Sequence, residues 1–94
     1  GMKLARAQAF SHAVTTVTIS PLGQWMAASD NAGEEVRVFD GQSGIRLGTI
    51  PTSDSPVATL EAADHGRLLI LQENGVLSSY DAPSQSQHYT VRLF

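Results

Sequence analysis

The chain has 94 residues, of which 41% are hydrophobic and 16% charged, and its formal net charge is −3. This length allows one small domain, and the balance of apolar and charged residues excludes a disordered chain. The six basic residues (Lys3, Arg6, Arg37, Arg46, Arg67, Arg92) are scattered, so no basic cluster exists to neutralise phosphates and nucleic acid is excluded as a partner.

The first segment, residues 3–10, carries positive charge but no apolar run of the ~7–15 residues that a secretory signal needs. It reads as a single extended strand. The compartment is not fixed by this, although a cytoplasmic location is favoured. Val14 to Ser20 (VTTVTIS) is rich in β-branched residues and predicts a strand, ended by Pro21-Leu22-Gly23. Gln24 to Ser29 predicts a second strand whose bulky members are Trp25 and Met26. Asp30-Asn31-Ala32-Gly33 is a loop of turn formers. Glu35 to Phe39 alternates, with Val36 and Val38 on one face and Arg37 and Phe39 on the other. Asp40 to Gly44 forms a turn, and Ile45 to Ile50 a fourth strand.

The second half repeats this order. Val57 to Glu61 and Arg67 to Gln72 predict strands around an Ala62–Gly66 loop. Asn74-Gly75 signals a hairpin because both residues tolerate positive φ. Val76 to Tyr80, the Asp81–Ser84 turn and a strand over Gln87 to Leu93 complete the set. Helical periodicity is absent over any three-turn window. The pairs Ile19/Leu60, Phe39/Tyr80, Asp40/Asp81 and Ile50/Val91 are each 41 residues apart. On that alignment the second unit is longer in its first loop and shorter in its second. A period of ~40–45 residues with four strands per unit is that of a propeller blade. Shifting back by one period sets Lys3 to Phe10 opposite Gly44 to Pro51. The expected architecture is therefore all-β, with antiparallel four-stranded blades over 12–51 and 55–94 and an orphan outer strand over 3–10, in one domain.

The signature Ser11-His12, Val14, Val17 to Gly23, Val36 to Asp40 and Ser43-Gly44 resembles the tryptophan–aspartate (WD) propeller repeat. His12, Pro21, Gly23, Phe39, Asp40, Tyr80 and Asp81 carry the likeness, with Phe-Asp and Tyr-Asp standing for Trp-Asp. The family's Asp six residues before the Trp is Gly33 here, and its His matches Ser53 in the second unit, so the family's buried network is not implied. The run Ser20-Pro21, Asp40 to Gly44, Thr49 to Pro51 and Pro56-Val57 is similar to YVTN-type and quinoprotein-type blades. Leu47 stands where quinoprotein blades carry Trp. These resemblances imply a non-enzymatic scaffold or protein-interaction module, with a protein or peptide as the expected ligand. The alternative they imply is a fragment of a larger enzymatic propeller.

Two blades cannot close a ring, because propellers close with about four to eight. Leu68, Leu69, Ile70 and Leu71 are apolar without alternation, which predicts a strand covered on both faces and hence an interface. A homo-oligomeric ring, a strand lent to a neighbour, or further blades in a longer chain would each supply the cover. A compact two-sheet sandwich is the simpler alternative.

Nothing in the chain assembles a catalytic or cofactor signature, so no catalytic residue, cofactor or metal is expected. His12, His65 and His88 are too far apart in sequence for a local ligand motif. Gly41-Gln42-Ser43-Gly44 lacks the strand-to-helix setting and spacing of a nucleophile elbow. Asp40 and Asp81 occupy equivalent turns of successive units, where their carboxylates are expected to accept from their own backbone amides. Glu34-Glu35 does not follow calcium-loop spacing, and Trp25 fits inter-blade core better than a stacking platform. There is no cysteine, which excludes a disulfide scaffold. No apolar run approaches the ~20 residues of a membrane span.

Overall fold

β-branched and aromatic residues in short alternating runs make eight strands, and the turn formers between them set the hairpins. The computed structural model describes residues 14–30 and 34–93. The strands are β1 (Val14–Ile19), β2 (Trp25–Asp30), β3 (Glu35–Asp40), β4 (Arg46–Pro51), β5 (Val57–Ala63), β6 (Arg67–Gln72), β7 (Val76–Asp81) and β8 (Ser86–Arg92). They form two antiparallel four-stranded sheets, β1-β2-β3-β4 and β5-β6-β7-β8, each a simple meander. The expected orphan strand over 3–10 lies outside the described residues, as do His12 and Gly33.

Strand alternation gives each sheet two faces, and register shows which residues share one. Met26 pairs with Phe39 and Ala28 with Arg37, while Ala27 pairs with Val38 and Ser29 with Val36. Trp25, Ala27, Val36, Val38 and Ile50 of the first sheet meet Leu60, Leu68, Ile70 and Ala82 of the second in one core. A fully buried aliphatic side chain stabilises by roughly 1.5–3 kcal/mol, so this shared layer is the main tie between the sheets. Met26, Ala28 and Phe39, with Val14, form a second buried cluster on the opposite face of the first sheet. The four leucine and isoleucine residues of β6 divide between faces. Leu68 and Ile70 are buried in the shared core, whereas Leu69 and Leu71 point the other way and are half-buried.

Register also corrects the alignment of the two halves. Ile19 pairs with Met26 and Val17 with Ala28, while Leu60 pairs with Ile70 and Ala62 with Leu68. Leu60 is therefore the counterpart of Val17, and Ile19 that of Ala62. The repeat distance is not a uniform 41. It is 43 in the first strand, 42 in the second and 41 in the third and fourth, because the first two of the three hairpin loops of the second sheet are each one residue shorter.

The link between sheets is pinned by a buried side chain. The Gln72 amide nitrogen donates to Asp54 Oδ1 and to the Ser55 carbonyl, both at 2.9 Å. Ser55 Oγ in turn accepts from the Asn74 N–H at 3.0 Å, and the Glu73 N–H reaches the Pro56 carbonyl at 2.9 Å. On the other side the Thr52 N–H donates to the Glu34 carbonyl. The linker is thus bonded to a hairpin of each sheet. A direct inter-sheet bond runs from the Ala62 N–H to Thr18 Oγ1 at 3.1 Å.

Two substitutions test this packing. Leu68→Ala should cost about 2–5 kcal/mol in urea unfolding, while Leu69→Ala should cost less than half as much, because only the first opens a cavity in the shared core. At Gly41 a Cβ would collide with the backbone of Gly23 and Gln24. Gly41→Ala should therefore destabilise by about 1–3 kcal/mol or more, read in the same unfolding experiment.

Candidate interaction surfaces

The two Asp turns share one design. Asp40 Oδ2 accepts from the N–H groups of Gln42 (3.1 Å) and Ser43 (2.8 Å) and from the Ser43 hydroxyl (2.9 Å). Asp81 Oδ2 accepts from the Ser84 N–H (3.1 Å) and the Ser84 hydroxyl (2.6 Å). Each turn also closes through backbone, Gly44 N–H to the Asp40 carbonyl and Gln85 N–H to that of Asp81. Gly44 and Gln85 both take positive φ, +75° and +62°, a conformation that suits glycine. Hydrogen bonds to the charged form lower a carboxyl pKa. The Ser43 backbone N–H, more than its hydroxyl, holds Asp40 below its ordinary range. For Asp81 the Ser84 hydroxyl is the larger cause. A carboxylate stabilised this way is a poor proton donor near neutrality. Both carboxylates therefore act within their turns.

The other sequence candidates separate in the same manner. The Ser43 hydroxyl donates to Asp40 and accepts from the Ile45 N–H, so it is a turn element rather than a nucleophile. Glu35 is engaged by Arg37, with Oε2 and Nε 2.5 Å apart, and Glu34 is exposed. His65 sits in the β5–β6 turn with φ +64°, and His88 lies on the exposed edge strand β8. Among the described residues no group of three His, Asp or Glu side chains gathers at metal-binding distance. Ser20 explains the Ser-Pro-Leu-Gly sequence. Its Oγ accepts from the N–H groups of Gln24 and Trp25, and its carbonyl accepts from Gly23. Pro21 is exposed at the tip of that turn. Trp25 is 3% exposed and belongs to the shared core. Phe39 faces away from the second sheet, whereas its counterpart Tyr80 packs on the shared core. Burial there raises the Tyr80 pKa.

Two surface features remain. A shallow cleft of about 60 Å³ lies where the β1–β2 and β5–β6 turns meet, bounded by Pro21, Leu22, Asp64 and His65. Ser20, Gln24 and Trp25 also form its walls. The larger feature is the outer face of the second sheet. Leu69, Leu71 and Leu77 are half-buried there. Tyr89 and Val91 beside them on β8 are 47% and 45% exposed. Register sets Leu71 beside Leu77, Leu77 beside Val91, and Ser79 between Leu69 and Tyr89. Ser79 Oγ is buried in this row without a hydrogen-bond partner. Of the predicted interface residues, Leu69 and Leu71 reach this face, while Leu68 and Ile70 are enclosed by the first sheet. Sequence reasoning did not find the pinning role of Gln72. The available signal was a polar residue ending an otherwise apolar strand.

No family model and no curated relative matches this sequence. Solved structures do match its fold. BamB from Moraxella catarrhalis superimposes with a TM-score of 0.74 at 13% identity, over 85% of this chain and 24% of that one. A Kluyveromyces lactis Hsv2 variant, with loop 6CD replaced by a Gly-Ser linker, gives 0.76 at 15% identity, over 93% and 30%. HIRA (residues 644–1017) gives 0.68 at 22% identity, over 83% and 23%. All three are β-propeller proteins, and the two sheets here are propeller blades. The chain spans about a quarter of the length of the structures it resembles.

The turn chemistry makes a pH prediction. Both carboxyls are depressed when folded, so the stability they provide is complete above the ordinary Asp value of about 3.9 and is lost as pH falls through their lower folded values. Ser84→Ala should raise the Asp81 pKa more than Ser43→Ala raises that of Asp40, since the alanine variant keeps the Ser43 N–H. Carboxyl carbon NMR titration of the two variants checks the order.

Proposed function

We propose that this chain is a non-enzymatic propeller-type scaffold, a protein-interaction module that is completed by further copies or further blades. Its parts in this reading are an outer strand over 3–10 and blades over 12–51 and 55–94. The observation that carries the proposal is the outer face of the second sheet. Val36 and Ile50 of the first sheet are buried against a following blade, and among the described residues no blade follows their counterparts Leu77 and Val91. An apolar sheet face left open in this way marks a site of association. The Asp40 and Asp81 carboxylates, bonded within their own turns, support binding over catalysis. A protein or peptide is the partner such a face suits. The propeller neighbours support the same reading by fold alone.

A second reading is a piece of a larger, quinoprotein-like or otherwise enzymatic propeller, whose site would be assembled across more blades. The length relationship favours it, since the chain matches only about a quarter of each neighbour. Additional blade-length repeats in the adjoining reading frame would decide for it.

Sedimentation equilibrium over micromolar concentrations tests the leading reading. The expected result is a concentration-dependent mass above the 10.0 kDa of one chain. A single 10.0 kDa species that melts cooperatively throughout that range contradicts it.

A further inference from the structure

Asn74-Gly75 has a chemical property besides its turn geometry. Glycine has no side chain to shield its nitrogen, so the Gly75 nitrogen can attack Cγ of the Asn74 carboxamide. A bond then forms from that nitrogen to Cγ, and the bond from Cγ to Nδ2 breaks. The Asn74 amide nitrogen leaves as ammonia with the Gly75 proton, and a cyclic imide remains. Water opens the ring on either side. Opening between Cγ and the nitrogen leaves aspartate. Opening at the Asn74 carbonyl carbon leaves isoaspartate, with the chain routed through Cβ and Cγ. The other asparagine, Asn31, is followed by Ala32, whose side chain hinders the same ring closure.

In the folded chain the reacting groups are held. The Gly75 N–H donates to the Gln72 carbonyl at 3.0 Å, so the attacking nitrogen keeps its proton. Asn74 Oδ1 accepts from the Val76 N–H at 3.0 Å, which fixes the carboxamide. The Asn74 N–H donates to Ser55 Oγ at 3.0 Å, and its carbonyl accepts from Arg92 Nη1 at 3.3 Å. The Gly75 carbonyl accepts from the Leu93 N–H at 2.7 Å. Gly75 is buried and Asn74 half-buried. Two of these restraints lead to the linker between the sheets. Ser55 belongs to it, and Gln72, whose carbonyl holds the Gly75 N–H, grips it through its side-chain amide. Lifting the linker removes the Ser55 bond and releases the Gln72 side chain, which loosens the hairpin around the reactive pair. Such a local opening costs less than unfolding both sheets.

We propose that Asn74 is a site of spontaneous deamidation, and that the docked linker over 52–56 holds the reaction off. The proposal is independent of what the chain binds. Isoaspartate lengthens the backbone by one atom within the short loop between Gln72 and Val76. The bonds to Ser55, Gln72 and Leu93 then cannot all re-form, so modification turns a transient opening into a permanent one.

Peptide mapping at mildly alkaline pH tests this. In urea, where both asparagines are unrestrained, Asn74 should convert faster than Asn31. In the native protein Asn74 should convert more slowly than in urea, by roughly ten-fold or more, since reaction waits on a local opening. Ser55→Ala should raise the native rate several-fold and leave the rate in urea unchanged, whereas Ser84→Ala, in the next hairpin, should alter neither. Amide exchange of the unsubstituted protein supplies a second readout. The Asn74 and Gly75 N–H groups should be protected, yet exchange sooner than the Ile70 N–H at the centre of β6. Equal conversion in the native protein and in urea, or an unprotected Gly75 N–H, overturns the restraint. Exchange of all three amides at one rate, or equal acceleration by Ser55→Ala and Ser84→Ala, makes global unfolding the controlling step and overturns the role of the linker. An isolated isoaspartate form that unfolds at the same urea concentration as the unmodified chain overturns the permanent opening.

Discussion

Leu68 and Ile70, packed against the first sheet, are the contact on which the remainder of this structure depends. A β-sheet has two faces, and one of them must be removed from water for a small chain to hold together. Here the two sheets bury one face each against the other, through Trp25, Val36, Val38 and Ile50 on one side and Leu60, Leu68 and Ile70 on the other. Without that layer each meander would be an isolated hairpin stack with little independent stability. The single interface also fixes how many faces are left over. Two sheets have four faces, the shared core uses two, and the outer pair is left to other contacts or to solvent.

Polar contacts then fix the geometry that apolar burial leaves loose. Hydrophobic packing is non-directional, so by itself it permits the sheets to slide. Gln72, through Asp54 and Ser55, ties the linker to the second sheet, and the Thr52 N–H ties it to the first. Because Gln72 is 7% exposed, a buried amide without these partners would cost about 1–3 kcal/mol. The bonds therefore act as a condition on the fold as well as a contribution to it. The Asp40 and Asp81 turns serve a more local purpose. Each carboxylate gathers the donors of its own turn, sets the outer hairpin, and so places β4 and β8 at the rim.

The functional consequence is an asymmetric blade pair. On the first sheet the outward face has a buried centre at Met26, Ala28 and Phe39, whereas on the second it carries the half-buried Leu69, Leu71 and Leu77 beside the exposed Tyr89 and Val91. The cleft between the β1–β2 and β5–β6 turns is small, and the histidine and carboxylate side chains are dispersed or already bonded.

Much of this was legible in the residues. All eight strands follow from β-branched runs such as Val14 to Ile19 and from turn formers such as Asn74-Gly75, because those preferences are local. The repeat showed itself through Phe39-Asp40 and Tyr80-Asp81, where each Asp carboxylate accepts from the N–H and the hydroxyl of the serine three residues on. Other features depended on which residues become neighbours. The sequence presents Leu68 to Leu71 as one apolar run, yet alternation in a paired strand sends two of them into the core and two outward. The uniform 41-residue period was an approximation, since hairpin register pairs Leu60 with Ile70 and so matches it to Val17 rather than Ile19. The pinning role of Gln72 needed the linker folded back onto β6. The sequence by itself determined an all-β chain of two propeller blades, because strand and turn propensities act over a few residues. Only the tertiary structure decided which faces are covered, because covering a face requires side chains some forty residues apart to meet.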